Sequence, residues 1–286
     1  MEIRAENLGH VYNQGTPIEV KALESVAFAL PSGAFLGILG GNASGKTTLV
    51  KIIAGLIKPS SGRVILDGKD ASGSGPGLKR GVGLVFERPE RQLFGETVYG
   101  DISFVLQRFS NMSREEIDER VRSVCQAMRL EIEEIGDRSP FALSLGEQRR
   151  VGIAGVLVSE PDVLILDEPG SGLDASSVSD LATVLAEIKA SGNRSVMIVS
   201  HDMEDFLDLL DLIMVLDGGR IALLGSPADV CRAAAGSPEM RAMLPPLMGF
   251  AGELWGAGVP LDLDQLNASS LADQIETILR GAGGAT

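Results

Sequence analysis

Four short runs of the chain, Phe35–Leu39, 82–86, 162–167 and Ser195–Val199, are apolar almost throughout. Runs of this length without alternation predict strands buried on both faces, as in a parallel sheet. Residues 2–30 behave differently: Val20, Ala22, Val26, Phe28 and Leu30 alternate with more polar positions, which predicts half-buried strands around a polar turn at 10–19. A turn and strand follow at 58–66, and the Gly- and Ser-rich residues 70–81 read as a loop. Between the strands the period changes to helical. Leu49, Val50, Ile52 and Ile53 suit a helix opening just after a glycine-rich turn. From 97 to 138 helical spacing dominates: Ser113 and Glu116 form a capping box, and Ile117, Val121, Val124 and Met128 lie on one face. Another helix starts at Ser144, and a third is capped by Asp174, with Val178, Leu181, Val184, Leu185 and Ile188 on one face. Residues 212–216 and 220–224, joined by Asp217-Gly218-Gly219, read as a hairpin. Strands alternating with helices predict an α/β fold with a mostly parallel sheet. Beyond 226 the chain is rich in Ala, Gly, Pro and Met, with helical patterns at 227–235 and 269–280 and a frayed end at 281–286.

Composition changes this picture little. A chain of 286 residues holds one large domain, or one with an appendage. A net charge of −14 opposes nonspecific binding to nucleic acid or anionic lipid. The two cysteines, Cys125 and Cys231, lack metal spacing and read as reduced thiols. There is no N-terminal signal pattern, and the apolar runs at 151–158 and 212–216 fall short of the about 20 residues a bilayer span needs. Any service to a membrane is expected from its surface.

The candidate chemistry is concentrated at 40–48, Gly-Gly-Asn-Ala-Ser-Gly-Lys-Thr-Thr. Strand, glycine-rich turn and helix start make a P-loop, G-x-x-x-x-G-K-T. Gly40 and Gly45 allow backbone N–H groups to approach phosphates, with Asn42, Ala43 and Ser44 between them and Thr48 in the first helical turn. The helix N-terminus adds free N–H groups. Lys46 can reach the β- and γ-phosphates, and the Thr47 hydroxyl can ligate Mg²⁺. A nucleotide with Mg²⁺ is the expected ligand pair.

Distant residues decide what kind of nucleotide site this is. Asp167 ends a buried strand, where ligands bind in open α/β sheets, and Glu168 follows it. Asp167 can hold Mg²⁺ through water, and Glu168 can orient or deprotonate an attacking water. His201 follows another buried strand and is placed for a γ-phosphate contact. Tyr12 either stacks on a base or packs. Ser144 is well placed as an N-cap whose helix dipole would face an anion.

The P-loop, the region 86–92, Leu143-Ser144-Leu145-Gly146-Glu147, Asp167-Glu168, Gly172-Leu173-Asp174 and His201 occur in one order and spacing. The set resembles the ATP-binding-cassette ATPases over residues 1–226. The stretches 16–23, 85–104 and 143–157 look like the ATPase subunits of energy-coupling-factor importers, which take up vitamins or transition-metal ions in prokaryotes. The resemblance implies a P-loop NTPase of ABC type, with an antiparallel β subdomain and an inserted helical subdomain at about 97–160, followed by a C-terminal extension at 227–286. It implies a head-to-tail ATPase dimer with a second cassette subunit, a transmembrane coupling protein and a membrane substrate-binding protein. The location implied is peripheral, on the cytoplasmic face of the cell membrane. Lys46, Thr47, Asp167, Glu168 and His201 would serve this chain's ATP, whereas Ser144 and Gly146 would face the partner's. The region 85–104, with Glu87, Glu90 and Arg91, would meet the coupling protein.

The chain departs from the family pattern at several positions. Glu87 stands where the family usually has Gln; its carboxylate could strengthen Mg²⁺ binding or repel phosphate. In the signature, Leu145 replaces Gly and Glu147 replaces Gln. Glu147 either turns back as a capping box or weakens the partner's site. Gly170 stands where Thr is usual. These departures favour a heterodimer with unequal sites over a homodimer. The alternative functions are a soluble non-transport cassette ATPase, acting on DNA or ribosomes, and a nucleotide-dependent regulator. A single cassette with strong negative charge counts against the first, and intact Glu168 and His201 against the second.

Overall fold

The computed structural model describes residues 1–73, 81–88, 92–201 and 203–283. Two sheets form the frame. The first is antiparallel, in the order β2-β1-β4-β5, from β1 (Ile3–Tyr12), β2 (Val20–Leu30), β4 (Ser61–Leu66) and β5 (Lys69–Asp70). The second takes β3 (Phe35–Leu39), β6 (Val82–Val85), β7 (Val163–Asp167), β8 (Ser195–Val199) and the hairpin β9 (Leu212–Asp217) and β10 (Arg220–Gly225). Its order is β10-β9-β3-β8-β7-β6, parallel except for the β9–β10 pair.

The apolar runs explain how the second sheet is covered. Every residue of β3, β7 and β8 is buried, and successive side chains go to opposite faces. Leu36, Ile38, Ile165, Met197 and Val199 join an apolar cluster with the antiparallel sheet and with α1 (Lys46–Ile53). Phe35, Leu39, Leu164, Leu166, Val196 and Ile198 join a second cluster on the other face. That cluster includes side chains of α2 (Val98–Phe109), α3 (Arg114–Ala127), α4 (Ile132–Ile135), α5 (Leu145–Leu157) and α6 (Ala175–Ser191). The capping box predicted at Ser113 and Glu116 is present.

Local chemistry shifted three sequence readings. Ser25 adopts φ 53°, and the β1–β2 register slips on either side of Leu23 and Val26. The buried phase therefore changes within β2: Val26, Phe28 and Leu30 are buried, whereas Val20 is exposed. The polar turn expected at 10–19 begins later, because His10, Val11 and Tyr12 complete β1 opposite Leu23, Lys21 and Val20. The strand expected to be buried at 82–86 ends at Val85 and is half-buried over its first three residues, since β6 is the edge strand. The loop expected at 70–81 lies largely outside the described residues, with 70 belonging to β5.

Beyond 226, α7 (Pro227–Ala234) and α10 (Ala268–Gly283) match the two expected helical patterns, with α10 continuing into the segment read as frayed. Two further helices lie between them: α8 (Pro238–Arg241) and α9 (Pro246–Gly256). Apolar residues of this C-terminal region, such as Cys231 of α7, Leu244 between α8 and α9, and Met248 and Ala251 of α9, are continuous with the second cluster. Among the described residues, no helix is long and apolar enough to cross a membrane.

Candidate functional site

Because β3, β8 and β7 are parallel neighbours, their C-terminal ends open on one edge of the sheet. There lies a cleft of about 470 Å³, within the size range of small-molecule sites. It is lined by Asn42, Ala43, Ser44, Gly45, Lys46, Thr47 and Thr48 from the glycine-rich turn and α1. Asp167 and Glu168 follow from β7, and His201 from β8. Tyr12 and Glu87 complete the predicted residues in it.

The turn needs its two glycines. Gly40 has φ 148°, and a Cβ there would lie 2.3 Å from the Leu216 carbonyl oxygen. Gly45 has φ 102°, and its Cβ would lie 2.5 Å from the Ala22 carbonyl oxygen. Both conformations are rare for side-chain-bearing residues. Gly40 itself does not line the cleft. Lys46 Nζ donates to the Gly40 and Gly41 carbonyl oxygens at 2.6 and 3.0 Å. The Ser44 hydroxyl is buried and has no hydrogen-bond partner among the described residues. A buried polar atom of this kind calls for an acceptor or donor, and a phosphate oxygen would supply one.

The acidic side is equally ordered. Asp167 is buried, and its carboxyl is pushed up to about 6, first by burial and then by the charges of Glu168 and Glu87, against the pull of Lys46 and Lys51. Converging carboxylates beside the exposed Thr47 hydroxyl form an all-oxygen donor set of the kind Mg²⁺ prefers. The Glu168 carboxylate accepts from Ser200 Oγ at 2.9 Å and from the His201 backbone N–H at 3.1 Å, and lies 2.9 Å from His201 Nδ1. Tyr12 is edge-on to His10 and its hydroxyl is 3.2 Å from Thr48 Oγ1, so it both packs and borders the cleft.

Ser144 and Gly146 stand apart from this cleft. Ser144 caps α5, and the expected box is formed: its N–H and hydroxyl both donate to Glu147 Oε2, at 2.9 and 2.7 Å. These hydrogen bonds, side chain first, hold the Glu147 carboxyl below its ordinary value. Gly146 packs on α6, where an added Cβ would lie 2.8 Å from Ser177 Oγ. Leu145 is 43% exposed, with Cδ2 3.3 Å from the Cβ position of Gly172. It therefore leans on its own chain's 172–174 turn. At Gly170, a Cβ would meet Val178 and Phe206 at ordinary contact distance. Glu90 and Arg91 lie outside the described residues.

Several residues of the site escaped the sequence reading. Val20, Lys21 and Ala22 line the cleft, Val20 because of the Ser25 bulge. Ser200 holds Glu168. Gln92 Oε1 accepts from the Phe86 N–H at 3.1 Å. Asp101, buried at the start of α2, accepts from the Phe94 and Gly95 N–H groups at 2.8 and 2.7 Å. Arg149 is buried and bonds backbone carbonyl groups of Glu87, Glu168 and Ser171. A side chain that binds backbone leaves no residue-type signal at its partners, so Arg149 had none.

With this geometry in place, residues 23–171 match the family model described as ABC transporter. The energy-coupling factor transporter ATP-binding protein EcfA2 of Caldanaerobacter subterraneus subsp. tengcongensis is 39% identical over 284 residues, covering 98% of this chain and 99% of that protein. The structure of cbiO1 from Clostridium perfringens, part of the ABC transporter complex cbiONQ, superposes with TM-score 0.73 at 35% identity, covering 88% of this chain and 98% of that one. The ATP-binding cassette MJ0796, in a dimeric post-hydrolysis state bound to ADP and Pi, matches with TM-score 0.71 at 25% identity over 78% of this chain and 98% of its own.

Proposed function

Because the chain belongs to the ATP-binding cassettes, in the energy-coupling-factor branch of transporter ATPases, we propose that it powers import of a vitamin or transition-metal ion as half of a head-to-tail ATPase dimer. The observation that carries this reading is the meeting of Lys46 and Thr47 at the start of α1 with Asp167, Glu168 and His201 at the ends of β7 and β8 in one cleft. ATP is the substrate. Lys46 exchanges its two carbonyl acceptors for phosphate oxygens, and the N–H groups of 41–48 receive the same anion. Mg²⁺, when bound, supplies charge neutralisation at the phosphates; Thr47, Asp167 and Glu87 would hold it, directly or through water. Glu168 orients and deprotonates the attacking water, and His201 holds the Glu168 carboxylate and meets the γ-phosphate. Tyr12, which borders the cleft, packs against the base.

Ser144 and Gly146 serve the partner's nucleotide in this reading, and their position away from the cleft supports it. Residues 1–226 act as the cassette, 97–160 as its helical subdomain and 227–286 as an extension. The exposed, edge-to-face pair Phe94 and Phe104 beside the 86–92 segment is the surface offered to the coupling protein. In this reading the chain works on the cytoplasmic face of the membrane, next to a separate substrate-binding membrane protein. The expected result from detergent extracts is co-purification with a second cassette and two integral membrane proteins; recovery with ribosomes or DNA would replace this reading by the soluble alternative. Glu168→Gln is expected to cut ATP turnover by about 100-fold or more, to a small but measurable rate, while nucleotide binding persists. Unchanged turnover would remove Glu168 from its role.

A further inference from the structure

We propose that Arg149 is a positioning residue for Glu168, tying the signature helix to the loops of this chain's own ATP site. The inference rests on the reading of Glu168 as the residue that activates water. Arg149 lies on α5, five residues after the cap Ser144, and is 2% exposed. Its Nη1 donates to the Glu168 carbonyl oxygen at 2.6 Å. Its Nη2 donates to the Glu87 carbonyl oxygen at 2.7 Å and to that of Ser171 at 3.2 Å. One planar fork thus joins three separate segments: the Glu87 strand exit, the Glu168 strand end and the turn leading to Asp174.

The Glu168 peptide is held in an uncommon shape. Its φ is 50°, in the left-handed region that non-glycine residues seldom adopt. Its N–H donates to the Val199 carbonyl oxygen at 2.7 Å, and its carbonyl oxygen accepts from Arg149 Nη1 and from the Ser171 N–H at 3.1 Å. Both backbone groups of Glu168 are therefore fixed, with Val199 and Arg149 acting from outside its own loop. The carboxylate of Glu168, held in turn by Ser200 and His201, is aimed by that backbone. Lysine cannot substitute, because a single ammonium lacks the guanidinium's fixed fork of donors.

The placement on α5 adds a consequence for the dimer. Ser144 and Arg149 belong to one rigid helix. A displacement of that helix when Ser144 engages the partner's nucleotide carries the guanidinium, and with it the peptide of Glu168. The two ATP sites of the dimer are then mechanically joined through α5.

The test uses the full chain in the complex recovered from detergent extracts, with Arg149→Lys, Arg149→Met and Glu168→Gln, each alone and as the pair Arg149→Lys/Glu168→Gln. Steady-state ATPase kinetics, binding of a fluorescent ATP analogue and thermal unfolding are measured on each. Expected for Arg149→Lys is a kcat lower by about 10- to 100-fold with analogue affinity and KM within about threefold, and no further loss when it is added to Glu168→Gln. Wild-type kcat in both Arg149 variants would overturn the proposal. So would equal losses in kcat and analogue affinity, an additive loss in the double variant, or failure of both Arg149 variants to fold, which would make the residue a requirement of the core. Should Glu168→Gln itself retain full turnover, the fault lies in the reading of Glu168 and not in the link through Arg149.

Discussion

Asp167 pays for its position at the end of a buried strand, where two other carboxylates approach it. Its folded value of about 6 lies above that of an unfolded aspartate. Between roughly pH 4 and 6 the native chain holds the proton more tightly than the unfolded one, so this group's contribution to stability falls as pH rises through that window. Asp167→Asn is expected to stabilise the nucleotide-free protein at pH 7 by about 1–3 kcal/mol, with the gain gone below pH 4. Urea unfolding across that pH range checks it; a gain that persists at pH 3.5 would contradict the electrostatic origin. Burial acts on the cysteines in the same direction. Burial pushes both Cys125 and Cys231 up to about 12, so neither is expected to react with a maleimide at pH 7.5 until the chain is unfolded. Residues with chemistry at strand ends, Lys46, Asp167, Glu168 and His201, were legible because a buried apolar run announces where a strand stops. Arg149 was not, because its acceptors lie 19, 22 and 62 residues away in sequence and are all backbone.

The cap of α5 is the element in which family pattern and local physics compete. Ser144 and Glu147 form a good capping box, and Ser144→Ala is expected to cost about 1 kcal/mol in chemical denaturation. The carboxylate's share is present above pH 4.5 and is lost as pH falls through its depressed value. The same carboxylate accepts from both the N–H and the hydroxyl of Ser144, the donors that an incoming phosphate would use. Glu147→Gln combined with Leu145→Gly is therefore expected to raise ATP turnover of the assembled dimer by several-fold, about 1 kcal/mol of barrier. Unchanged turnover would remove support for unequal sites. Period alone found this helix and its cap. It did not find α8 and α9, where prolines open both helices and Gly249, Gly252 and Gly256 break the apolar face of the longer one. Nor could period see the bulge at Ser25, which turns Val20 from a core position into part of the cleft wall.

At the scale of the molecule, the C-terminal residues are part of the core they follow. Ala228, Val230, Cys231, Met248 and Ala251 are buried in the same cluster as Val196 and Ile198. Val230 and Met248 each contribute about 1.5–3 kcal/mol when fully buried, the alanines less, and a whole domain has only about 5–15 kcal/mol in hand. A chain cut at 226 is expected to melt well below the intact protein or to aggregate, as light scattering during a thermal scan would show. A cut chain with an unchanged melting temperature would mean the extension merely rests on the surface.

The central sheet keeps its two apolar clusters on opposite sides, with no side chain among the described residues common to both. It works as a bulkhead between compartments. Amide exchange should then show two populations. Protons of α2 and α3, on the compartment away from the glycine-rich turn, can open together while β3 and α1 stay closed. A cassette built this way can loosen and reset its helical side through many cycles without losing its grip on the nucleotide.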